Sequence, residues 1–214
     1  MRSKTVYFIR HGETDWNAEI RWQGGTDIPL NETGIRQARE VAEELRSRKL
    51  SAVLSSDLAR ARRTAEIIAA PHGIPVRTTA NLREVNLGTA EGLRRDEVVE
   101  LYGPEVLDQW KFMVDPDFSF PGGECQRDAL RRGMPALEDF LRESDGPEVA
   151  VVFHGMIMRL VLRRIFPESA DTIHVPNGKL FELTWSGNGA AGTWAPRGEL
   201  IRRLREPSRK PVSV

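Results

Sequence analysis

A chain of 214 residues is long enough for one domain with a substantial core, or one domain carrying an elaborated insert, and 40% hydrophobic with 29% charged side chains is ordinary water-soluble composition. Its 31 Lys and Arg match 31 Asp and Glu, so no basic excess is left to neutralise a phosphate backbone, which argues against nucleic acid as a partner. The single cysteine, Cys125, excludes an intrachain disulfide and suits a reducing compartment, while the apolar run at residues 6–9 is too short for a secretory leader or a membrane span; a cytoplasmic protein is expected.

Residues 6–9 (Val-Tyr-Phe-Ile) read as a short buried strand. Over residues 31–49, Ile35, Ala38, Val41 or Ala42, and Leu45 fall on one face with Arg and Glu on the other, which predicts an amphipathic helix. A second strand is expected at 52–54. The helix after it has Ser55, Ser56 or Asp57 as cap and Leu58, Ala61, Ala65 and Ile68 as inward face, and it stops at Pro71 and Gly73. Residues 74–77 suggest a third strand, and 93–102 a short helix. Residues 104–121 mix Trp110, Phe112, Met113, Phe118 and Phe120 with acids and prolines, an irregular insert over the sheet edge. Residues 126–143 have helical spacing, but Gly133 and Pro135 predict a kink or break. Glu148–Phe153 is a strongly apolar strand, 156–166 a helix ended by Pro167, 180–185 and 199–204 closing strands, 188–192 a Gly-rich turn, and 205–214 a polar tail. This alternation predicts a three-layer α/β/α sandwich with a mainly parallel central sheet, one domain over residues 1–204 with its insert at about 93–123.

The first strand delivers Arg10, His11 and Gly12 at its C-terminal end, the edge of an open α/β sheet where ligands bind. Alone this is weak, since an Arg-His-Gly tripeptide occurs by chance in roughly one or two of every hundred chains this long. A second pair, His154-Gly155, also follows an apolar strand and opens a helix, and Arg60 lies in the first turn after a third strand. Glycine permits close approach of a backbone N–H to an anion, and a helix N-terminus favours negative charge. His11, His154, Arg10 and Arg60 together would form a pocket for a tetrahedral dianion.

With Arg10-His11-Gly12-Glu13-Thr14-Asp15-Trp16-Asn17 the chain resembles the histidine phosphatase superfamily in its phosphoglycerate-mutase-like branch. Gln23-Gly24, the run Asp27 to Asn31, Ser55 to Ala61 with Thr64-Ala65, Leu82-Arg83-Glu84 with Gly88 and Glu91-Gly92, Pro121-Gly122-Gly123-Glu124 and Phe153-His154-Gly155 continue the resemblance in order to about residue 178. It implies that His11 becomes phosphorylated, that Arg10, Arg60 and His154 bind the transferred group, and that Glu84 gives a proton to the leaving alcohol and then takes one from water. It makes Asn17, Gln23, Gly24 and Gly155 supporting phosphate and substrate contacts. Glu91 or Asp15 remains an alternative proton source. A neutral imidazole can attack phosphorus when its other nitrogen is held by a hydrogen bond, with cations stabilising the equatorial oxygens. No separate cluster with metal-ligand spacing appears, so neither metal nor cofactor is expected; the partner is a small phosphomonoester, with a homodimer left open.

Ala90, Phe153, Met156, Cys125 and Arg63 depart from the family pattern, and Phe153 and Met156 are expected to flank the phosphate pocket. His72 and His174 read as structural or surface residues, and Cys125 as inert. Three alternatives stand beside a metabolite phosphatase: a cofactor-dependent phosphoglycerate mutase, a phosphoprotein phosphatase, and a non-catalytic binding module on the same fold. A mutase needs extra basic residues for a second phosphate. Residues 102–123 hold only Lys111, although Arg94 and Arg95 could reach a second anion. The candidates for the pocket wall are the loop at 15–22, Arg94 and Arg95, and the insert at 102–123, a wall that would favour an apolar or hydroxyl-rich leaving group; Trp110 and Phe112 read as core packing first and as wall residues second.

Overall fold

The computed structural model describes residues 2–112, 114–167, 173–187 and 192–197. Its centre is a six-stranded sheet of order β3-β2-β4-β1-β5-β6, formed by β1 (Arg2–Arg10), β2 (Leu50–Ser56), β3 (Val76–Thr79), β4 (Glu148–Phe153), β5 (Leu180–Gly187) and β6 (Thr193–Pro196). The first four are parallel, and β5 and β6 close one side antiparallel, so the sheet is mainly parallel as expected.

Alternation along the central strands makes the layers, because successive side chains of a strand point to opposite faces. Tyr7, Ile9, Ala150 and Val152 join one buried cluster under α2 (Glu32–Leu45) and α3 (Ala59–Ala69). Val6, Phe8, Val149, Val151 and Phe153 join the other, with α6 (Gln126–Glu143), α7 (Gly155–Ile165) and the insert. Both faces are covered, which is why β4 reads as a continuous apolar run.

Several boundaries differ from the sequence reading. β3 begins at Val76 because Gly73 turns left-handed (φ 64°) and Pro75 has no N–H to give a ladder. α2 ends at Leu45, four residues early. The cap of α3 is Leu58, with no side-chain bond; Ser55 and Ser56 stay in β2, and Asp27 Oδ1 instead accepts from Ala59 N–H at 2.7 Å. α6 runs unbroken through Pro135, whose exposed position leaves the orphaned carbonyl one turn back to water. Gly133 is buried on that helix's inner face, where a Cβ would meet Ile157 Cδ1 at 3.1 Å, so it serves the packing of α6 on α7.

The insert is more regular than expected. It contains α4 (Arg95–Tyr102) and α5 (Glu105–Phe112), joined at Gly103. Val106, Leu107 and Trp110 lie at helical spacing that the surrounding prolines and acids disguised. Trp110 stacks on Trp22 at 5.5 Å, and Phe120 meets Tyr102, Phe118 and Trp22 edge-on, so the aromatic group pins the insert down. The expected strand at 199–204, the turn residues 188–191 and the tail lie outside the described residues.

Candidate active site

The parallel pairing of β1 with β4 sets Arg10 opposite Phe153, so the residues after them, His11 and His154, leave the sheet side by side with ring centroids 5.0 Å apart. Arg60 arrives from α3, which follows β2 on the other side of β4. Three adjacent strands thus deliver the two histidines and two arginines to one edge.

A cavity of about 480 Å³ opens there, lined by Arg10, His11, Asn17, Gln23, Gly24, Arg60, Glu84 and Gly155. Eight of the nine residues expected from the sequence share it. The ninth, His154, is fully buried just behind, with Arg60 Nε donating to its Nδ1 at 3.1 Å.

The tautomers follow from the hydrogen bonds. His11 Nδ1 lies 2.6 Å from the carbonyl of Gly12, an acceptor only, so Nδ1 carries the proton and Nε2 keeps a free lone pair. His154 is the reverse: Nδ1 accepts from Arg60, so Nε2–H is a donor, and among the described residues it has no partner. Arg10 Nε is likewise buried and unpartnered, while its Nη1 donates to Val175 O at 2.6 Å. Arg60 spends three of its five N–H groups on His154, Thr26 O and Gly24 O and keeps two. Buried donors without acceptors are rare in folded proteins, and an anion's oxygens are what they lack.

Burial, then Arg60 and Arg10, hold the pKa of His11 well below the ordinary imidazole range, and burial followed by Arg60 and His11 does the same for His154. Burial pulls Arg60 down to about 10, still cationic at neutral pH. The unfolded chain takes up protons on both histidines near pH ~6.5 while the folded chain does not, so stability falls as pH drops below that value toward the folded-state pKa. The melting temperature is expected to fall on acidification from about pH 7.5 to about pH 5, with a shallower fall in His154→Gln. The same slope in both proteins would contradict this assignment.

Glu84 is held at the start of α7: Oε2 accepts from Met156 N–H and Oε1 from Ile157 N–H, each at 2.9 Å, with Val85 N–H adding a bond to Oε1 at 3.0 Å. Glu91 is otherwise occupied. It accepts from Gly25 N–H at 2.6 Å, Thr26 N–H at 2.9 Å, the Thr26 hydroxyl and Leu87 N–H at 3.0 Å, and thereby staples the loop that carries Gly24. Gly24 adopts φ 55°, and a Cβ there would sit 2.2 Å from Glu91 Oε1 and 2.9 Å from Leu87 N, so any side chain would be strained and would push Glu91 off its bonds. Asp15 is an exposed first-turn residue of α1 (Asp15–Ala18), and neither it nor Glu91 lines the cavity.

Sequence reasoning missed Asn177. Its Nδ2 reaches His11 O at 3.2 Å, Gly12 O at 3.3 Å and Asn17 Oδ1 at 3.0 Å, tying the turn after β1 to Asn17 and leaving the Asn17 amide nitrogen for the cavity. Pro176-Asn177-Gly178 signals only a turn. Arg159 was also missed as a lining residue, although it stands one turn beyond Gly155 on α7, a spacing that does signal a shared face; Arg21 lines the cavity from the loop at 15–22. His174 is a surface residue, one of the two alternatives read from the sequence, and it stands on the cavity's lining. Phe153 does not: it is fully buried against Phe8 at 4.7 Å, and of the two departures only Met156 meets the cavity. Arg95 lines the wall where Arg94 does not, and Trp22, Leu87, Leu107, Trp110 and Ile173 supply its apolar part. The wall is thus more basic than expected. The Phe112 side chain lies outside the described residues. Among the described residues no group of three or more His, Cys, Asp or Glu is placed to hold a metal, and no helix is long and apolar enough to cross a membrane.

Residues 6–194 match the family model described as histidine phosphatase superfamily (branch 1). The chain is 41% identical over 160 residues to "Probable phosphoglycerate mutase GpmB" of Yersinia pestis (strain Pestoides F), covering 73% of this chain and 72% of that protein. It is similar in structure to mycobacterial glucosyl-3-phosphoglycerate phosphatase in complex with VO3 (TM-score 0.77, 26% identity, covering 91% of this chain and 97% of that one). It is also similar to Bacillus stearothermophilus YhfR (TM-score 0.76, 30% identity, 90% and 95%).

Proposed function

The chain belongs to branch 1 of the histidine phosphatase superfamily, and we propose that within it this protein is a metal-independent phosphomonoester hydrolase acting on small phosphorylated metabolites through a phosphohistidine at His11. The observation that carries this reading is the pair of buried, unpartnered donors, Arg10 Nε and His154 Nε2, beside a neutral His11 whose Nε2 lone pair is free. A phosphoryl group is what such a set receives.

In the first step His11 Nε2 forms a bond to phosphorus as the P–O bond to the alcohol breaks, and Glu84 gives the departing oxygen its proton. Arg10, Arg60 and His154 bind the equatorial oxygens as charge spreads over them. Asn17, Gln23, Gly24 and Gly155 surround the group; a Cβ at Gly155 would meet Arg10 Cζ at 3.3 Å, so this glycine gives the guanidinium its place. In the second step the Glu84 carboxylate takes a proton from water, the water oxygen bonds to phosphorus, and the P–N bond breaks to regenerate neutral His11. The cations supply the charge that a metal supplies in other phosphoryl-transfer enzymes.

The solved phosphatase similar to this chain supports hydrolysis. The named mutase relative supports a second reading, and Arg21, Arg95 and Arg159 on the cavity wall favour it specifically, because a second anionic group on the substrate would find cations there. One panel of phosphomonoesters separates the two. Hydrolysis of several esters, undiminished by exhaustive chelation and inhibited by vanadate, is expected. Loss of activity restored by one divalent ion would contradict metal independence, and phosphoglycerate interconversion faster than phosphate release would make the protein a mutase.

A further inference from the structure

Glu84 stands in residues 83–87, a stretch that is neither helix nor strand, so no ladder of the sheet fixes it. What holds its backbone comes from α6. The guanidinium of Arg132 uses all five of its N–H donors. Nε donates to Glu124 Oε2 at 3.0 Å; Nη1 donates to the carbonyls of Asn81 and Arg83, each at 2.8 Å; Nη2 donates to the carbonyl of Glu84 itself at 3.1 Å and to Glu124 Oε1. Glu124 completes the frame from the other side, accepting Asn86 N–H on Oε1 at 3.1 Å while its own N–H donates to Asn86 O at 3.0 Å.

We propose that Arg132, locked by Glu124, is a positioning residue for the proton donor: it fixes the main chain on both sides of Glu84 so that the carboxylate meets the first turn of α7 and faces the departing oxygen. The proposal rests on the reading of Glu84 as the acid given above. Nothing else in the mechanism uses Arg132, and it does not line the cavity. The pair is bidentate and about one-fifth exposed on each side, and the remaining donors of Arg132 all go to carbonyls of residues 81–84, so its five bonds are spent on the loop that carries Glu84. Lysine, with three donors on a tetrahedral ammonium, cannot span three carbonyls and a bidentate carboxylate. A displacement of a reacting group by about 1 Å costs on the order of 10²-fold.

The test compares an alkyl phosphate, whose alkoxide needs a proton to leave, with para-nitrophenyl phosphate, whose phenolate does not. In Arg132→Lys, kcat/KM for the alkyl ester is expected to fall roughly 10- to 100-fold and that for the aryl ester only a few-fold. Glu124→Gln, which keeps the shape and loses the charge, is expected to show the same selectivity at smaller size, and it serves as the reading if Arg132→Lys does not fold. Adding Arg132→Lys to Glu84→Gln should cost the alkyl ester almost nothing further, because the clamp acts only through that carboxyl. Equal slowing of both esters in Arg132→Lys and Glu124→Gln, alongside a selective Glu84→Gln, overturns the clamp alone. Equal slowing in Glu84→Gln overturns the acid assignment and the clamp with it.

Discussion

His11→Ala is expected to lose turnover by roughly 10⁴-fold or more on every substrate, good leaving group or poor. Among the described residues no nearby side chain can replace it. His154 is fully buried, with Nδ1 already taken by Arg60 and Nε2 protonated, so it has no lone pair to offer. Cys125 does not line the cavity. The fold should survive, since among the described residues the only hydrogen bond of the His11 ring goes to the neighbouring Gly12 carbonyl, and the removed group resists charging in its site. Circular dichroism unchanged with kcat collapsed is the expected pair of results. A kcat within tenfold of the parent enzyme would sink the mechanism.

Glu84→Gln should have the second largest effect, and its size should depend on the substrate. General acid–base catalysis contributes about 10²- to 10⁴-fold when the leaving group needs a proton. In kcat/KM, which reports phosphorylation of His11 and not the later attack of water, alkyl phosphates should fall by that amount and para-nitrophenyl phosphate by far less. Glutamine retains an oxygen that can accept from the amides of Met156 and Ile157, so the loop should keep its place. Because Glu91 already accepts from three backbone N–H groups and a hydroxyl, it is not available as a substitute.

The parts of this molecule that were legible in its sequence are those written as local pattern. β4 and the inward face of α3 declared themselves through apolar runs and helical spacing, and the parallel order followed from the alternation of helix and strand. His11, His154 and Arg60 could be placed at one edge because each histidine follows directly on a strand and Arg60 lies in the first turn of the helix after one. What stayed hidden depends on contacts far apart in the chain. The helix at 105–112 was masked by its flanking prolines and acids, although Val106 and Trp110 carry its spacing. The Pro135 break did not occur because the proline faces water, a fact of packing. Asn177, 166 residues from His11, looks like a turn residue until its amide is seen bridging the main chain of the first turn. Arg95 and the loop that holds Arg21 were candidates for the wall, but Arg159 escaped notice because it lies on α7, and only the closed fold brings the three arginines to one cavity.

The central claim, that His11 carries the phosphoryl group, is tested most directly by quenching the enzyme within its first turnovers and mapping the adduct by mass spectrometry. The expected result is one added phosphoryl group on the peptide containing His11, labile in acid and stable in base as a phosphoramidate is, and absent from His11→Ala. Full turnover with no adduct, or an adduct mapped to another residue, would contradict it.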